Sequence, residues 1–192
     1  FMHANNIAHR DLKPCNILVE RNSPTGIRIR LCDFGMSTVM LGPPSKYYDV
    51  TTTWYRAPEV CTHNPYSYGI DIWSVGCIFF ELITRAPAFG LDDDNDKVFD
   101  KIYHFMESAP CLLHVKEMFK GKTIQIGPPP FQRIRFEERI MLHKYGHGAA
   151  LKAANQLGSF CDLLRKLLTF YPGDRITASD ALRHPFFKDE QP

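Results

Sequence analysis

Close cysteine pairs are missing from this sequence. Its six cysteines stand at positions 15, 32, 61, 77, 111 and 161, and no two form a C-x-x-C pair. A chain of 192 residues has no need of disulfide staples, so the thiols are read as reduced, in a cytoplasmic or nuclear protein. An excess of one charge is missing too. Lys and Arg number 23 against 21 Asp and Glu, a net of +2, which argues against a general nucleic-acid or membrane binder. The opening residues Phe1 to Arg10 include His3, Asn5 and Asn6, not the apolar core of a signal peptide. The chain opens on Phe instead of Met and is read as a piece of something longer. No internal repeat and no G-x-G-x-x-G run occurs. What is present is an ordinary globular mixture, 44% hydrophobic and 23% charged, ample for a sizeable core.

Ile7 to Glu20 reads IAHRDLKPCNILVE. Pro14 blocks a continuous helix there, and Asn16 to Val19 reads as a short strand. Asn22 to Gly26 is turn chemistry. Ile27 to Cys32 alternates apolar and basic residues and predicts a strand with one buried face, so the two runs make a hairpin. From Asp33 to Thr53 the pattern dissolves around Gly35, Gly42, Pro43 and Pro44, as in a long functional loop. Asp71 to Arg85 carries apolar residues all round, the mark of a helix buried on every side. Asp71 and Glu81 interrupt it, and it is too short for a membrane span. Val98, Phe99, Ile102, Tyr103 and Met106 give an amphipathic helix. Phe160, Leu163, Leu164, Leu167 and Leu168 give another, ended by Pro172 and Gly173. Thr177, with Asp180 three residues on, resembles a capping box. The fold class expected is mainly α with one small β-hairpin.

Three motifs in order carry a resemblance. His9-Arg10-Asp11-Leu12-Lys13-Pro14-Cys15-Asn16 resembles the catalytic loop of a protein kinase, Asp33-Phe34-Gly35 its metal-binding triplet, and Ala57-Pro58-Glu59 the end of its activation segment. The resemblance runs over residues 1–187 and is weakest from Phe119 to Ser159. It implies a partial kinase domain: a kinase-like C-terminal lobe of the α+β family with the N-terminal lobe absent, because no Gly-rich loop, strand Lys or helix Glu is found. It places an activation segment at 33–59, an insert at about 108–158 and a tail at 188–192.

The resemblance also implies roles. Phosphoryl transfer needs positioning and charge neutralisation more than covalent help. Asp11 would accept and orient the substrate hydroxyl proton, and Lys13 would neutralise the transferring phosphate. Asn16 and Asp33 would hold Mg2+ for ATP through oxygen ligands. Cys32 would line the nucleotide pocket. His9 and Phe34 are packing residues in the family, and Gly35 completes the triplet. Asp71 would hydrogen-bond the catalytic-loop backbone, Arg175 would pair with Glu59, and Thr52 would bridge Asp11 and Lys13. Lys13 two residues after Asp11 resembles the serine/threonine kinases. Arg56, just before Ala57-Pro58-Glu59, resembles the CMGC group of cyclin-dependent and mitogen-activated kinases and implies preference for Ser/Thr-Pro in protein substrates. An upstream kinase or a regulatory subunit is an implied partner; nucleic acid and membrane are not.

Regulation departs from that pattern. Arg10 beside a catalytic Asp implies a phosphorylated activation loop, since a cation needs an anion to order it. The position seven before Trp54 is Tyr47, and that five before it is Asp49, so no Thr-x-Tyr switch is present. Phosphorylation of Tyr47 or Tyr48, a standing charge from Asp49, and two inert tyrosines all remain open. A second function class also remains: an inactive kinase lobe that binds substrates or regulators. Asp92 to Asp96 resembles a calcium loop but has Lys97 and Tyr103 at positions six and twelve, so it is read as a solvated loop near a helix start. His143 and His147 lack zinc-spaced partners.

Overall fold

Pro14 cannot donate a backbone N–H to a helix. In the computed structural model of the chain, which describes residues 1–23, 26–106 and 158–187, it opens a single 3-10 turn, Pro14–Asn16. A two-residue strand β1 (Ile7–Ala8) precedes that turn. After it, β2 (Ile17–Ser23) and β3 (Gly26–Leu31) pair antiparallel, with Ile17 opposite Leu31 and Val19 opposite Ile29. A fourth strand, β4 (Thr38–Val39), lies inside the long loop and pairs antiparallel with β1, Ile7 opposite Val39.

Two sequence expectations are corrected here. The mainly helical fold with one small hairpin becomes, among the described residues, helices plus two separate two-stranded sheets. A two-residue strand leaves no alternation to read, and β1 meets β4 only through tertiary folding. The buried face expected for Ile27 to Cys32 is also overturned, because every residue of β3 is exposed. Ile27 and Ile29 are 76% and 62% exposed. Alternation tells which side chains share a face, not whether anything covers it.

Among the described residues the three longer helices follow the apolar spacing, and two others are single turns of four residues. They are α1 (Pro58–Cys61), α2 (Gly69–Thr84), α3 (Asn95–Phe105), α4 (Gly158–Leu167) and α5 (Ala178–Ala181). Helix α2 is the centre of the core, with Ile70, Trp73, Cys77 and Phe80 fully buried and Leu82 its one largely exposed apolar residue. It ends where Arg85 turns left-handed, at φ 63°, and returns its N–H to Glu81. Trp73 stacks on Phe89 at 5.5 Å, and Phe105 meets Phe80 and Phe89 edge-on. Helix α4 lies against α2 at Gly76, where a Cβ would come within 2.7 Å of Leu168, so only glycine admits this approach. The acidic run opens α3: the Asp94 carboxylate accepts from the amides of Asp96 and Lys97, an N-cap for otherwise orphaned donors. The Thr177 hydroxyl caps α5 in the same way, accepting from the Asp180 amide.

Among the described residues no helix is long and apolar enough to cross a membrane. The insert expected at about 108–158, apart from Gly158, lies outside the described residues, as do the tail at 188–192, Cys111, His143 and His147.

Candidate active site

The segment after β1 cannot form a helix ahead of Pro14, and its backbone donors need other partners. Asp71, in the first turn of α2 and 3% exposed, supplies them. Its carboxylate accepts from the amides of His9 and Arg10, both at 2.8 Å, and from the His3 imidazole at 2.9 Å. The loop is thereby anchored to the most deeply buried helix. His9 is fully buried. Its Nδ1 accepts from the Asp11 amide, so Nε2–H donates to the Cys32 carbonyl at 3.1 Å. Phe34 lies 5.2 Å from the His9 ring but is half exposed.

This anchoring presents Asp11. One carboxylate oxygen accepts from the Thr52 amide at 3.0 Å and from the Thr52 hydroxyl at 2.9 Å. The other forms an ion pair with Lys13 Nζ at 2.8 Å. Lys13 also donates to the Thr52 hydroxyl at 3.0 Å, so Thr52 touches both partners. Asn16 donates its amide N–H to the Asp11 carbonyl at 2.8 Å and to its carboxylate at 3.3 Å. Burial works against the Asp11 carboxylate. The hydrogen bonds from Lys13 and Thr52 and the Lys13 charge outweigh it, and the carboxyl is held below its ordinary value. The Asp11 hydrogen bond raises Lys13 above its own, against the opposing effect of burial. Both groups are charged at neutral pH, and Asp11 is acceptor-only.

An open pocket of about 200 Å³ adjoins this cluster, lined by Asp11, Met36, Asp49, Val50, Thr51 and Thr52. A larger cleft of about 530 Å³ runs between His3, Tyr68 and Ile176 and includes none of Asp11, Lys13, Asn16 or Asp33. Asp33 is exposed, at φ 60°, with one carboxylate oxygen accepting from the Gly35 amide. Among the described residues no group of three or more His, Cys, Asp or Glu is placed to bind a metal. The residues that the resemblance assigns to a hard cation, Asp33 and Asn16, do carry oxygen donors of the right kind, and the Asn16 amide nitrogen is committed to Asp11.

Among the described residues, Arg10, Asp33 and Thr51 are three of the six non-glycine residues with positive φ. Such conformations cost of order 1–3 kcal/mol each and collect where geometry is functional. Thr51 went unnoticed in the sequence, since nothing there signals its φ of 63°. Its carbonyl is taken by Arg56 Nη2 at 2.6 Å, while Arg56 Nη1 donates to Asn95 at 2.7 Å. Asn95, His3 and Tyr66 were missed as well. Arg175 and Glu59 meet at 2.7 Å, both almost fully buried. Tyr47 is 57% exposed, Tyr48 half-buried, and Asp49 exposed.

The cysteines divide by environment. Burial pushes the Cys61 thiol up to about 12, and pushes Cys77 up as well, whereas Cys15 is exposed and Cys32 half-buried. Iodoacetamide near neutral pH is expected to alkylate Cys15 first and Cys32 more slowly. It should leave Cys61 and Cys77 untouched until the protein unfolds. Peptide mass mapping checks this, and early labelling of Cys77 would contradict the packing of α2.

A family model for the protein kinase domain matches residues 1–187: the chain belongs to the protein kinase family. Its relatives include cyclin-dependent kinases. It is 38% identical to cyclin-dependent kinase 4 of Xenopus laevis, over 99% of this chain and 53% of that protein. It is 34% identical to cyclin-dependent kinase B2-1 of Arabidopsis thaliana, over 98% of this chain and 55% of that protein. The fold matches a chain of the yeast RNA Pol II CTD kinase CTDK-1 complex with a TM-score of 0.77 at 25% identity, over 100% of this chain and 58% of that one. The chain thus spans about half the length of the curated relatives it matches. These matches overturn the fold class of a lone C-terminal lobe with the N-terminal lobe absent. The kinase-domain model runs through residues 1–187 and the structural match covers the whole chain, so the fold class is the protein kinase domain. The lone-lobe expectation rests on motifs not found, and an unseen motif is no observation about the residues that are present.

Proposed function

We propose that this chain carries the phosphoacceptor site of a serine/threonine protein kinase that transfers phosphate from Mg-ATP to Ser/Thr-Pro sequences in proteins. The observation that carries this reading is the contact of Asp11 with Lys13 and Thr52, with Asp11 and Thr52 lining an open pocket. Asp11, ionised and fixed through one oxygen by Thr52, accepts a hydrogen bond from the incoming hydroxyl and aims its oxygen. Lys13 places a positive charge beside that oxygen, where negative charge gathers during transfer. Asn16 and Asp33 supply the oxygen donors for Mg2+, which when bound neutralises the phosphate oxygens. A cyclin-type regulatory subunit is the partner that the relatives' names suggest.

The proline preference has its own support. Arg56 already occupies the Thr51 carbonyl, beside the acceptor pocket. A peptide N–H just after the phosphoacceptor then finds no acceptor there and goes unpaired, which costs about 1–3 kcal/mol. Proline has no N–H to lose. The test is phosphate transfer from Mg-ATP to two peptides that differ only in Pro or Ala after the Ser. The full-length protein is expected to favour the Pro peptide at least about tenfold in kcat/KM. Equal rates would sink the proline preference, and transfer to neither peptide would sink the kinase reading. The variant Arg56→Leu frees the Thr51 carbonyl and is expected to narrow the gap.

A further inference from the structure

Arg10 is the residue for which an anion seemed necessary. Its guanidinium is instead held by neutral groups. Nε donates to the Met36 carbonyl, Nη1 donates to the Tyr66 hydroxyl at 3.2 Å, and the Tyr47 ring lies 5.8 Å from the guanidinium carbon. Asp49, the candidate standing charge, forms no ion pair with Arg10 among the described residues, and its side chain is exposed.

Tyr66 is where these contacts converge. It lies in the turn between α1 and α2 and is 1% exposed. While accepting from Arg10, its hydroxyl donates to the Tyr47 carbonyl at 2.6 Å. A hydroxyl that accepts from a cation becomes a stronger donor, so the two bonds reinforce each other. The Tyr66 backbone adds a two-hydrogen-bond bridge to Ser45, at 2.8 and 3.0 Å. The Tyr48 ring meets the Tyr66 and His63 rings edge-on. Residues 45–48 are therefore fixed by backbone, hydroxyl and ring contacts to one buried side chain, and four residues further on Thr52 grips Asp11.

We propose that Tyr66 is a positioning residue that locks the 45–48 segment onto Arg10, so that the segment keeps its place, and Thr52 its hold on Asp11, with no phosphoryl group on Tyr47 or Tyr48. The regulatory consequence rests on the phosphoryl-transfer reading above; the lock itself does not. All three open regulatory readings give way: a phosphotyrosine and Asp49 lose their physical motive, and the tyrosines are not inert. The Arg10 cation already has partners, and the tyrosines are in use as contacts.

Lys46, exposed beside Tyr47, supplies a readout independent of activity. The experiment times tryptic cleavage at Lys46 in the folded full-length protein, before and after phosphatase treatment verified by mass spectrometry. The treated and untreated proteins are expected to be cut equally slowly, and Tyr47→Phe, which keeps the ring and cannot be phosphorylated, equally slowly again. Tyr66→Phe removes both hydroxyl bonds and is expected to be cut about tenfold faster. In transfer assays its KM for peptide should rise about fivefold while its KM for ATP stays put. A general loss of structure would move both. The lock is refuted if phosphatase treatment alone brings cleavage to the rate of Tyr66→Phe, or if Tyr66→Phe is cut no faster than the parent. Should Tyr66→Phe fail to fold, Arg10→Met, which removes the donor to the Tyr66 hydroxyl, is expected to speed the cut likewise, and an unchanged rate there refutes the lock. Lys46 protection as expected in a protein that transfers no phosphate would overturn the kinase reading and leave the lock standing.

Discussion

Replacing Arg175 with Met is expected to cost about 3–5 kcal/mol of stability, the usual penalty for stripping one partner from a buried ion pair. Every N–H of this guanidinium is used. Nη1 donates to Glu59 and to the Gly69 carbonyl, Nη2 to the other Glu59 oxygen and the Phe170 carbonyl, and Nε to the Thr169 carbonyl. The carbon of the fork sits 5.1 Å from the Trp73 ring centre. Glu59 belongs to α1, Gly69 opens α2, and Thr169 and Phe170 follow α4, so one side chain ties together three separate parts of the chain. With Arg175 gone, the Glu59 carboxylate, 2% exposed, is a buried charge without its counterion. Lys at this position has three donors on a single point and cannot reproduce the fork, so Arg175→Lys is expected to recover less than half of the loss. A domain of this size shifts its Tm by about 2–4 °C per kcal/mol. Thermal melts should therefore fall by roughly 6–20 °C for Arg175→Met. A loss below about 1 kcal/mol would show that the pair is held for specificity instead of stability.

That ion pair was legible in the sequence only through the family resemblance, since nothing local links Glu59 to Arg175, 116 residues apart. The same holds for Asp71 and the amides of His9 and Arg10. Helices α2 and α4 were legible for a different reason. Their apolar spacing is a local record of a tertiary environment, and the buried positions Trp73, Phe80, Leu163 and Leu164 fall where the spacing puts them. Strand β4 and the coverage of β3 were not legible, because two residues carry no period and a strand does not state what lies above it. In the candidate site, Asp11, Lys13, Asn16 and Asp33 were singled out by the motif resemblance, and the structure brings Asp11, Lys13 and Asn16 into contact. Backbone conformation decided the rest. The left-handed turn at Thr51 aims its carbonyl at Arg56, and threonine is no common choice for that region of φ and ψ. Tyr66 was passed over because a tyrosine in a turn has no motif. Its importance comes from being buried with its hydroxyl between a guanidinium and a carbonyl.

Asp11→Asn is expected to lower kcat by about 10²–10⁴-fold while leaving the fold intact, as removal of a positioned proton acceptor does. The change keeps the shape and deletes the charge, so Tm should move by no more than a few degrees. KM for ATP should hold, because Asp33 is untouched and Asn16 keeps its shorter bond to the residue 11 backbone carbonyl. The geometry says why so much of kcat should go. The Asn amide nitrogen would have to face either Lys13 or the Thr52 amide, both donors, leaving one of them unpaired and the acceptor hydroxyl unaimed. The pH behaviour follows from the same contacts. Against burial, the Lys13 and Thr52 hydrogen bonds hold the Asp11 carboxyl below the ordinary 3.8. Its contribution to stability is thus fully present above that value and is lost as pH falls through the lower folded value. Asp11 stays ionised from pH 5 to 8, so its titration supplies no acid limb to kcat/KM in that range. A basic limb, if seen, belongs to another group, because Lys13 is shifted upward. Under the proposed phosphoryl transfer, a carboxylate kept ionised by these bonds acts by aiming the hydroxyl. Thr52→Val should then mimic part of the loss, about tenfold in kcat, because it removes the hydroxyl's hydrogen bond to the carboxylate and leaves the Thr52 amide bond and the charge in place. Turnover of Asp11→Asn within tenfold of the parent would remove Asp11 from the mechanism, and full activity in Thr52→Val would remove the positioning argument while leaving the carboxylate in place.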